Sequence, residues 1–245
     1  EDNREILQSR VPEAIMTTYR SEEEALLKLP EALDWASVVG IGPGLGQNAF
    51  TGKLLSMVLD RGHCPLVIDA DGLNTLAALK KEEMGSAAEL RREKAKMAAA
   101  SAEDEPRTIT ELYDSYKAPM ILTPHLKEME RLTGKKVADI QDSLMETAKE
   151  VADIFVLKDA RTVVSDGSLP TYINMSGNHG MATGGSGDVL TGIICGLLAG
   201  GLTALEAARL GAYCHGLAGD QAAKEKGCYG LMAGDLVRHL NDVIR

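Results

Sequence analysis

Pro65-Leu-Val-Ile-Asp69-Ala-Asp-Gly-Leu-Asn74 decides the fold class, because a short aliphatic run stops at two aspartates and a glycine before the next segment begins. Apolar runs of this length between polar or glycine turns are the pattern of strands buried on both faces. Four more runs repeat it: residues 37–41, 119–123, 154–158 and 162–165. Between the first four in chain order lie segments long enough for crossover helices, which predicts an α/β domain with a mostly parallel sheet. Ligands of such sheets collect at the carboxyl ends of the strands. The chemically suggestive residues fall there: Gly42-Pro-Gly-Leu-Gly46, Asp69 to Asn74, Thr123-Pro-His125, and Lys158.

A second stretch, Gly177-Asn-His-Gly-Met-Ala-Thr-Gly-Gly-Ser-Gly-Asp188, has the composition of an anion loop. Gly184, Gly185 and Gly187 lack the Cβ atoms that keep backbone N–H groups away from an anion, and glycine permits the positive φ that lets those groups converge. Val189, Leu190, Ile193, Ile194, Leu197 and Leu198 recur at helical spacing, so the loop feeds a helix N-terminus whose dipole favours phosphate. Two readings of Asp188 follow. Either Asp188 or Ser186 is an ordinary helix cap, or Asp188 is a general base beside bound phosphate; the glycine content favours the second.

The remaining constellations carry alternatives. Gly42, Gly44 and Gly46 either line a ligand or turn the chain into a helix. Asp69 and Asp71 either meet a divalent cation, which would keep most of its waters if it were Mg²⁺, or cap the next helix. Thr123-Pro124 reads as a helix start, with His125 and Glu128 on its opening turn as a surface pair or a ligand contact. His215, in an alanine-rich segment, reads as a satisfied core histidine. Lys158, Arg161 and Thr162 offer two cations and a hydroxyl suited to phosphate or an adenine nucleotide.

Composition narrows the classes. At 245 residues the chain has room for one well-buried domain. Its net charge of −10 argues against a nucleic-acid surface, which grips phosphates through clustered Lys and Arg. The cysteines at 64, 195, 214 and 228 form no C-x-x-C pair, and a reducing cytoplasm suits them. The longest apolar stretch, 189–202, is too short and glycine-rich to span a bilayer. No basic leader opens the chain, and Glu1 in place of Met suggests that an upstream segment has been removed.

In the C-terminal third, Thr203 and Glu206 are spaced as a capping box, with alanines, Leu205, Leu210 and Leu217 expected on the buried side. Gly192, Gly196 and Gly200, four apart, are expected to admit a neighbouring helix. Residues 80–118 are rich in Lys, Glu and Ala without a clear apolar stripe between 81 and 105, and read as a solvated helical insertion.

Together, Gly42 to Gly46, Asp69 to Asn74, Leu122-Thr-Pro-His125 with Glu128, Val156-Leu-Lys158 with Thr162, and Gly177 to Asp188 resemble, in residues and order, the ADP- or ATP-dependent NAD(P)H-hydrate dehydratases. The resemblance implies a ribokinase-like three-layer α/β/α sandwich forming one domain over 1–245. It implies repair of NADH or NADPH hydrate by phosphorylation of the C6 hydroxyl and elimination of phosphate, with Mg²⁺ and with ADP or ATP as co-substrate, ADP being favoured. By family match Asp188 is the catalytic base. Lys158, Asp159, Ala160, Arg161, Thr162, Gly184, Gly185 and Gly187 hold the nucleotide, and Gly42, Gly44, His125 and Asp188 meet the hydrate. Homo-oligomers, often tetramers, and an upstream epimerase domain are expected partners. Two departures stand out. The strand, glycine turn, long helix and second strand that open family members do not precede Arg10-Val-Pro-Glu13, so the domain reads as N-terminally incomplete. Asp159 and Leu126-Lys127 replace a usual glycine and a usual Pro-Gly. The competing readings are a kinase of the same fold for a hydroxymethylpyrimidine or thiazole alcohol, and a nucleotide-binding module without turnover.

Overall fold

The computed structural model describes residues 2–94, 107–136, 153–168 and 170–244. Six short strands line up in one sheet in chain order: β1 (Val39–Ile41), β2 (Leu66–Ile68), β3 (Met120–Leu122), β4 (Ile154–Leu157), β5 (Val163–Ser165) and β6 (Tyr172–Ile173). β1 to β4 are parallel, with Val39, Leu66 and Met120 level across the first three. β5 and β6 run antiparallel, as a meander on the β4 side. Five of these strands were expected. β6 was not, because its two residues form no apolar run.

Alternation along the strands builds the layers. Leu66, Ile68, Met120, Leu122, Phe155 and Leu157 enter one core with Leu33 of α2 (Glu22–Trp35), Leu55 of α3 (Ala49–Arg61), Leu73 of α4 (Ala70–Lys94), Leu112 of α5 (Ile109–Ser115) and Met129 of α6 (Leu126–Thr133). Their neighbours Val67, Ile121, Ile154 and Val156 join a second core with Leu190 and Ile194 of α7 (Ser186–Ala199) and Ala207, Ala208 and Ala212 of α8 (Ala204–Lys226). Helices therefore cover both sheet faces, giving an α/β/α sandwich. Leu66, Val67 and Ile68 are fully buried, and at about 1.5–3 kcal/mol for each such side chain even a three-residue strand is firmly held. A short helix, α1 (Arg4–Arg10), precedes this body, and α9 (Ala233–Val243) follows it. No helix among the described residues is long and apolar enough to cross a membrane.

The Thr203–Glu206 capping box forms as expected. Three other packing expectations are corrected. Leu210 is exposed while Ala204, Ala207, Ala208, Ala212, Ala218 and Ala222 carry the buried side of α8. Among the described residues nothing lies within 4 Å of a Cβ built on Gly192 or Gly196, so none of them packs on this stripe. The tight helix contact uses Gly211 instead, where a Cβ would lie 2.7 Å from Ile194 Cγ1. The solvated reading of 80–118 fails at α5, whose Ile109, Leu112 and Tyr113 are buried. Tyr113 also receives the Lys80 ammonium 3.8 Å above its ring, and burial lowers the Lys80 pKa. Residues 95–106 of that stretch lie outside the described residues.

Candidate active site

The carboxyl edge of the sheet is assembled by loops pressed backbone against backbone. β1 ends at Ile41, and a Cβ on the following Gly42 would lie 1.7 Å from the Asp69 carbonyl oxygen and 2.9 Å from Gly72 N. The Asp69 N–H donates to the Ile41 carbonyl at 3.0 Å. Asp71 then ties the glycine turn down, accepting from the Gly46 N–H at 2.9 Å and from Gln47 Nε2 at 3.0 Å. Gly42, Gly44 and Gly46 all take positive φ, at 129°, 70° and 72°. Glycine is required here by conformation, and at Gly42 by contact as well.

Asp69 sits beneath these loops with no exposed surface. Its Oδ1 accepts from Lys158 Nζ at 2.5 Å and from the Ala70 N–H at 2.8 Å, and its Oδ2 accepts from Thr191 Oγ1 at 2.6 Å. Ala70 holds a φ of 47°, a left-handed conformation that costs a non-glycine residue about 1 kcal/mol or more. Both aspartates are engaged by protein donors. Asp69 is occupied by a lysine, a hydroxyl and an amide, and Asp71 by the glycine turn. Among the described residues no group of three or more His, Cys, Asp or Glu could hold a metal ion.

The glycine-rich stretch opens with a 3₁₀ turn (His179–Met181) and ends at α7. Gly185, with φ 84°, is the N-cap of α7 and no side chain caps that end. Neither Ser186 nor Asp188 is therefore the cap, which removes the ordinary reading of both. Of Gly184, Gly185 and Gly187, which could all take positive φ, only Gly185 does so. A Cβ on Gly184 would meet nothing among the described residues within 4 Å, whereas one on Gly187 would lie 3.3 Å from Lys158 Nζ. Asp188 lies exposed in the first turn of α7, open to a substrate and close to the helix's unpaired N–H groups.

α8 grips this stretch at both ends. Asp220 accepts from the Gly177 N–H at 2.9 Å and from Asn178 Nδ2 at 3.0 Å. Glycines on α8 admit the chain: a Cβ on Gly216 would lie 2.1 Å from Ser176 Oγ, and one on Gly219 2.3 Å from Met181 Sδ. At the far end His215 Nε2 lies 2.9 Å from the Ser186 carbonyl and 3.2 Å from Ser186 Oγ, so the histidine is satisfied. Burial, reinforced by the Lys158 charge, pushes its pKa down to about 4.

The folded chain thus keeps His215 neutral at a pH where the unfolded chain has protonated it. That contribution to stability is complete above about pH 6.5 and shrinks as pH falls towards 4, by at most about 3 kcal/mol. His215→Gln should flatten this part of the unfolding free energy measured against pH. An unchanged slope would remove His215 as its source.

The other expected residues fall on the same edge. Lys158 closes β4 and pairs with His125 in an isolated parallel bridge. The turn that follows is exposed at Asp159, Ala160 and Arg161. Arg161 donates to the Met175 carbonyl at 3.0 Å, and Thr162 accepts the Asn174 N–H at 2.8 Å. The start of α6 is corrected, while the expected pairing of His125 with Glu128 is seen. His125, and not Thr123, is the N-cap of α6: its Nδ1 accepts the Glu128 N–H at 3.1 Å, and Glu128 Oε2 accepts the His125 N–H at 2.8 Å. Its ring stays exposed and can still meet a ligand. Direct contacts therefore join Gly42, Asp69, Lys158, His125 and Gly187 in one site, with Asp188 beside it. A groove of about 1060 Å³ between α2, α3, α4 and α5 lacks the anion loop and Lys158, so volume alone does not mark the chemistry.

Sequence reading missed Thr191, Asp220 and Asn178. Thr191 leaves a faint signal as a hydroxyl among the aliphatic residues of α7. Asp220 has no comparable signal, since an acidic residue in a polar-tailed helix reads as solvated.

Comparison with known proteins gives consistent results. A family model described as NAD(P)H-hydrate dehydratase matches residues 1–93 and 105–242. A bifunctional NAD(P)H-hydrate repair enzyme from Moorella thermoacetica is 41% identical over 226 residues, which cover 91% of this chain and 37% of that protein. The chain thus spans well under half of that relative's length. The crystal structure of the ADP/ATP-dependent NAD(P)H-hydrate dehydratase from Bacillus subtilis, co-crystallised with ATP/Mg²⁺ and soaked with CoA, superposes with a TM-score of 0.71 at 27% identity, covering 99% of this chain and 77% of that one. A ribokinase-like superfamily protein from Enterococcus faecalis gives a TM-score of 0.71 at 28% identity, covering 98% and 72%. The sandwich is ribokinase-like.

Proposed function

The chain belongs to the NAD(P)H-hydrate dehydratase family, and from that premise we propose that it returns the hydrate of NADH or NADPH to the reduced dinucleotide at the expense of ADP or ATP, with ADP the favoured donor. The observation that carries the proposal is the anion loop: Gly184 to Gly187 at the head of α7, followed by the exposed Asp188, with Lys158 Nζ 3.3 Å from where a Gly187 Cβ would lie.

The chemistry follows from the leaving group. Hydroxide departs poorly from C6 of the hydrate, whereas phosphate departs well. Asp188 takes the proton of the C6 hydroxyl, whose oxygen attacks the terminal phosphorus of the nucleotide and breaks its bond to the bridging oxygen. Backbone N–H groups at the head of α7 and the Lys158 ammonium meet the charge on the transferring group. The ring nitrogen then pushes its electron pair towards C6, the C–O bond breaks with release of phosphate, and loss of a C5 proton restores the double bond. Lys158 to Thr162 with Gly184, Gly185 and Gly187 are assigned to the nucleotide, and Gly42, Gly44, His125 and Asp188 to the hydrate. Mg²⁺ would enter with the nucleotide as its metal complex, since it binds readily through phosphates and water. Self-association, a cytoplasmic setting and work alongside an epimerase activity complete the reading.

Incubation with NADH hydrate, Mg²⁺ and either ADP or ATP tests it, read as returning reduced-nicotinamide absorbance together with free phosphate. Recovery that needs nucleotide is expected, and the more effective donor names itself. A phosphorylated product without recovery would make the protein a kinase of the same fold. Nucleotide binding with no product under any condition would make it a module without turnover.

A further inference from the structure

We propose that Asp69, together with Thr191, is a positioning unit that seats the Lys158 ammonium against the first turn of α7, so that Lys158 meets the phosphate end of the nucleotide and not its base. The inference rests on the reading above only in taking an adenine nucleotide as ligand.

Three donors from separate parts of the chain converge on Asp69. The Ala70 N–H comes from the β2–α4 junction, Lys158 Nζ from the end of β4, and Thr191 Oγ1 from α7, at 2.8, 2.5 and 2.6 Å. Both carboxylate oxygens thereby accept from protein donors, two on Oδ1 and one on Oδ2. Its charge is spent on orientation. A lysine is a flexible point charge with three donors. One is fixed on Asp69, and the side chain, 20% exposed, keeps the others available.

Their direction is set by Gly187. A Cβ there would lie 3.3 Å from Lys158 Nζ and 3.9 Å from Asp69 Oδ2, so the ammonium and its carboxylate lie on the side of Gly187 where a side chain would begin. Gly187 is helical and is not among the glycines with positive φ, so its conformation does not call for glycine. A side chain there would crowd the ammonium, which would have to shift by a few tenths of an ångström. Because Gly187 belongs to the turn where helix N–H groups and dipole favour an anion, the lysine adds its charge to the same point. The base would then be left to the exposed turn at Asp159, Ala160 and Arg161.

Calorimetric titration with ADP, AMP and adenosine tests this without any turnover. Wild type should prefer ADP to adenosine. Lys158→Met and Asp69→Asn should each cut that preference by roughly tenfold or more while adenosine affinity holds within about twofold, as expected for loss of a charge-assisted phosphate contact. The double variant should be little worse than either single one, because the two residues act as one unit. Thr191→Val should give a smaller loss of the same kind, and Thr191→Ser, which keeps the hydroxyl, should restore wild-type preference. If Asp69→Asn does not fold, the Thr191 pair carries the test. Equal weakening of ADP and adenosine would overturn the proposal, as would independent losses in the double variant, Thr191→Ser behaving like Thr191→Val, or a wild type without preference for ADP. Failure of the dehydratase reading would appear separately, as intact ADP preference with no recovered NADH or NADPH.

Discussion

Asp188→Asn is expected to lower turnover of the hydrate about 10²- to 10⁴-fold, equivalent to roughly 3–5 kcal/mol of barrier, with nucleotide affinity nearly unchanged. Asparagine keeps the shape and can still accept a hydrogen bond, but it does not take the hydroxyl proton. The residue is exposed and does not cap α7, so unfolding free energy should stay within about 0.5 kcal/mol of wild type. Rate and stability are thereby separated in one variant. Single-turnover measurement of NADH recovery, beside a urea titration, decides the matter. Activity equal to wild type would take Asp188 out of the chemistry, and a parallel loss of stability would turn the effect into a folding defect.

Gly42→Ala should cost more than about 4 kcal/mol of stability, a size reserved for a few identifiable mechanisms. Two of them coincide. The φ of 129° lies where alanine is strained, and the added Cβ would fall 1.7 Å from the Asp69 carbonyl oxygen, so the β1 and β2 loops would have to part. Gly44 supplies the internal control. Its φ is 70° but nothing among the described residues lies within 4 Å of the added carbon, so Gly44→Ala should lose only the conformational cost of about 1–2 kcal/mol. Urea unfolding of the pair distinguishes contact from conformation. Equal losses would mean that the two loops are not held against each other as described.

These predictions draw on parts of the molecule that were unequally legible in the sequence. β1 to β5 were readable because aliphatic residues stop abruptly at glycine, proline or aspartate. The placement of Gly184, Gly185, Gly187 and Asp188 at a helix head was readable because the aliphatic period begins immediately after them. The start of α6 was misplaced for a physical reason: Thr123 and Pro124 are strong local start signals, yet the Lys158 N–H donates to the Pro124 carbonyl at 2.8 Å and keeps the chain on the sheet. The helix consequently begins one bridge later, with His125 as its cap. The stripe of Gly192 and Gly196 shows a related limit, since spacing defines a helix face but not whether a neighbour covers it. The role of Asp69 was hidden altogether. Its partners lie 89 and 122 positions away, and a short-range reading finds only an aspartate pair that resembles a cation site.

The double grip of α8 on the loop has a consequence for how a catalytic cycle would run. Because Asp220 and His215 hold the stretch from Gly177 to Ser186 at either end, the entropy of ordering it, about 1–2 kcal/mol for each residue fixed, falls on folding and not on ligand capture. Product departure then leaves behind a cradle that is already shaped for the next nucleotide. Waiting time between turnovers would be governed by diffusion and release, with no segment needing to find its conformation again.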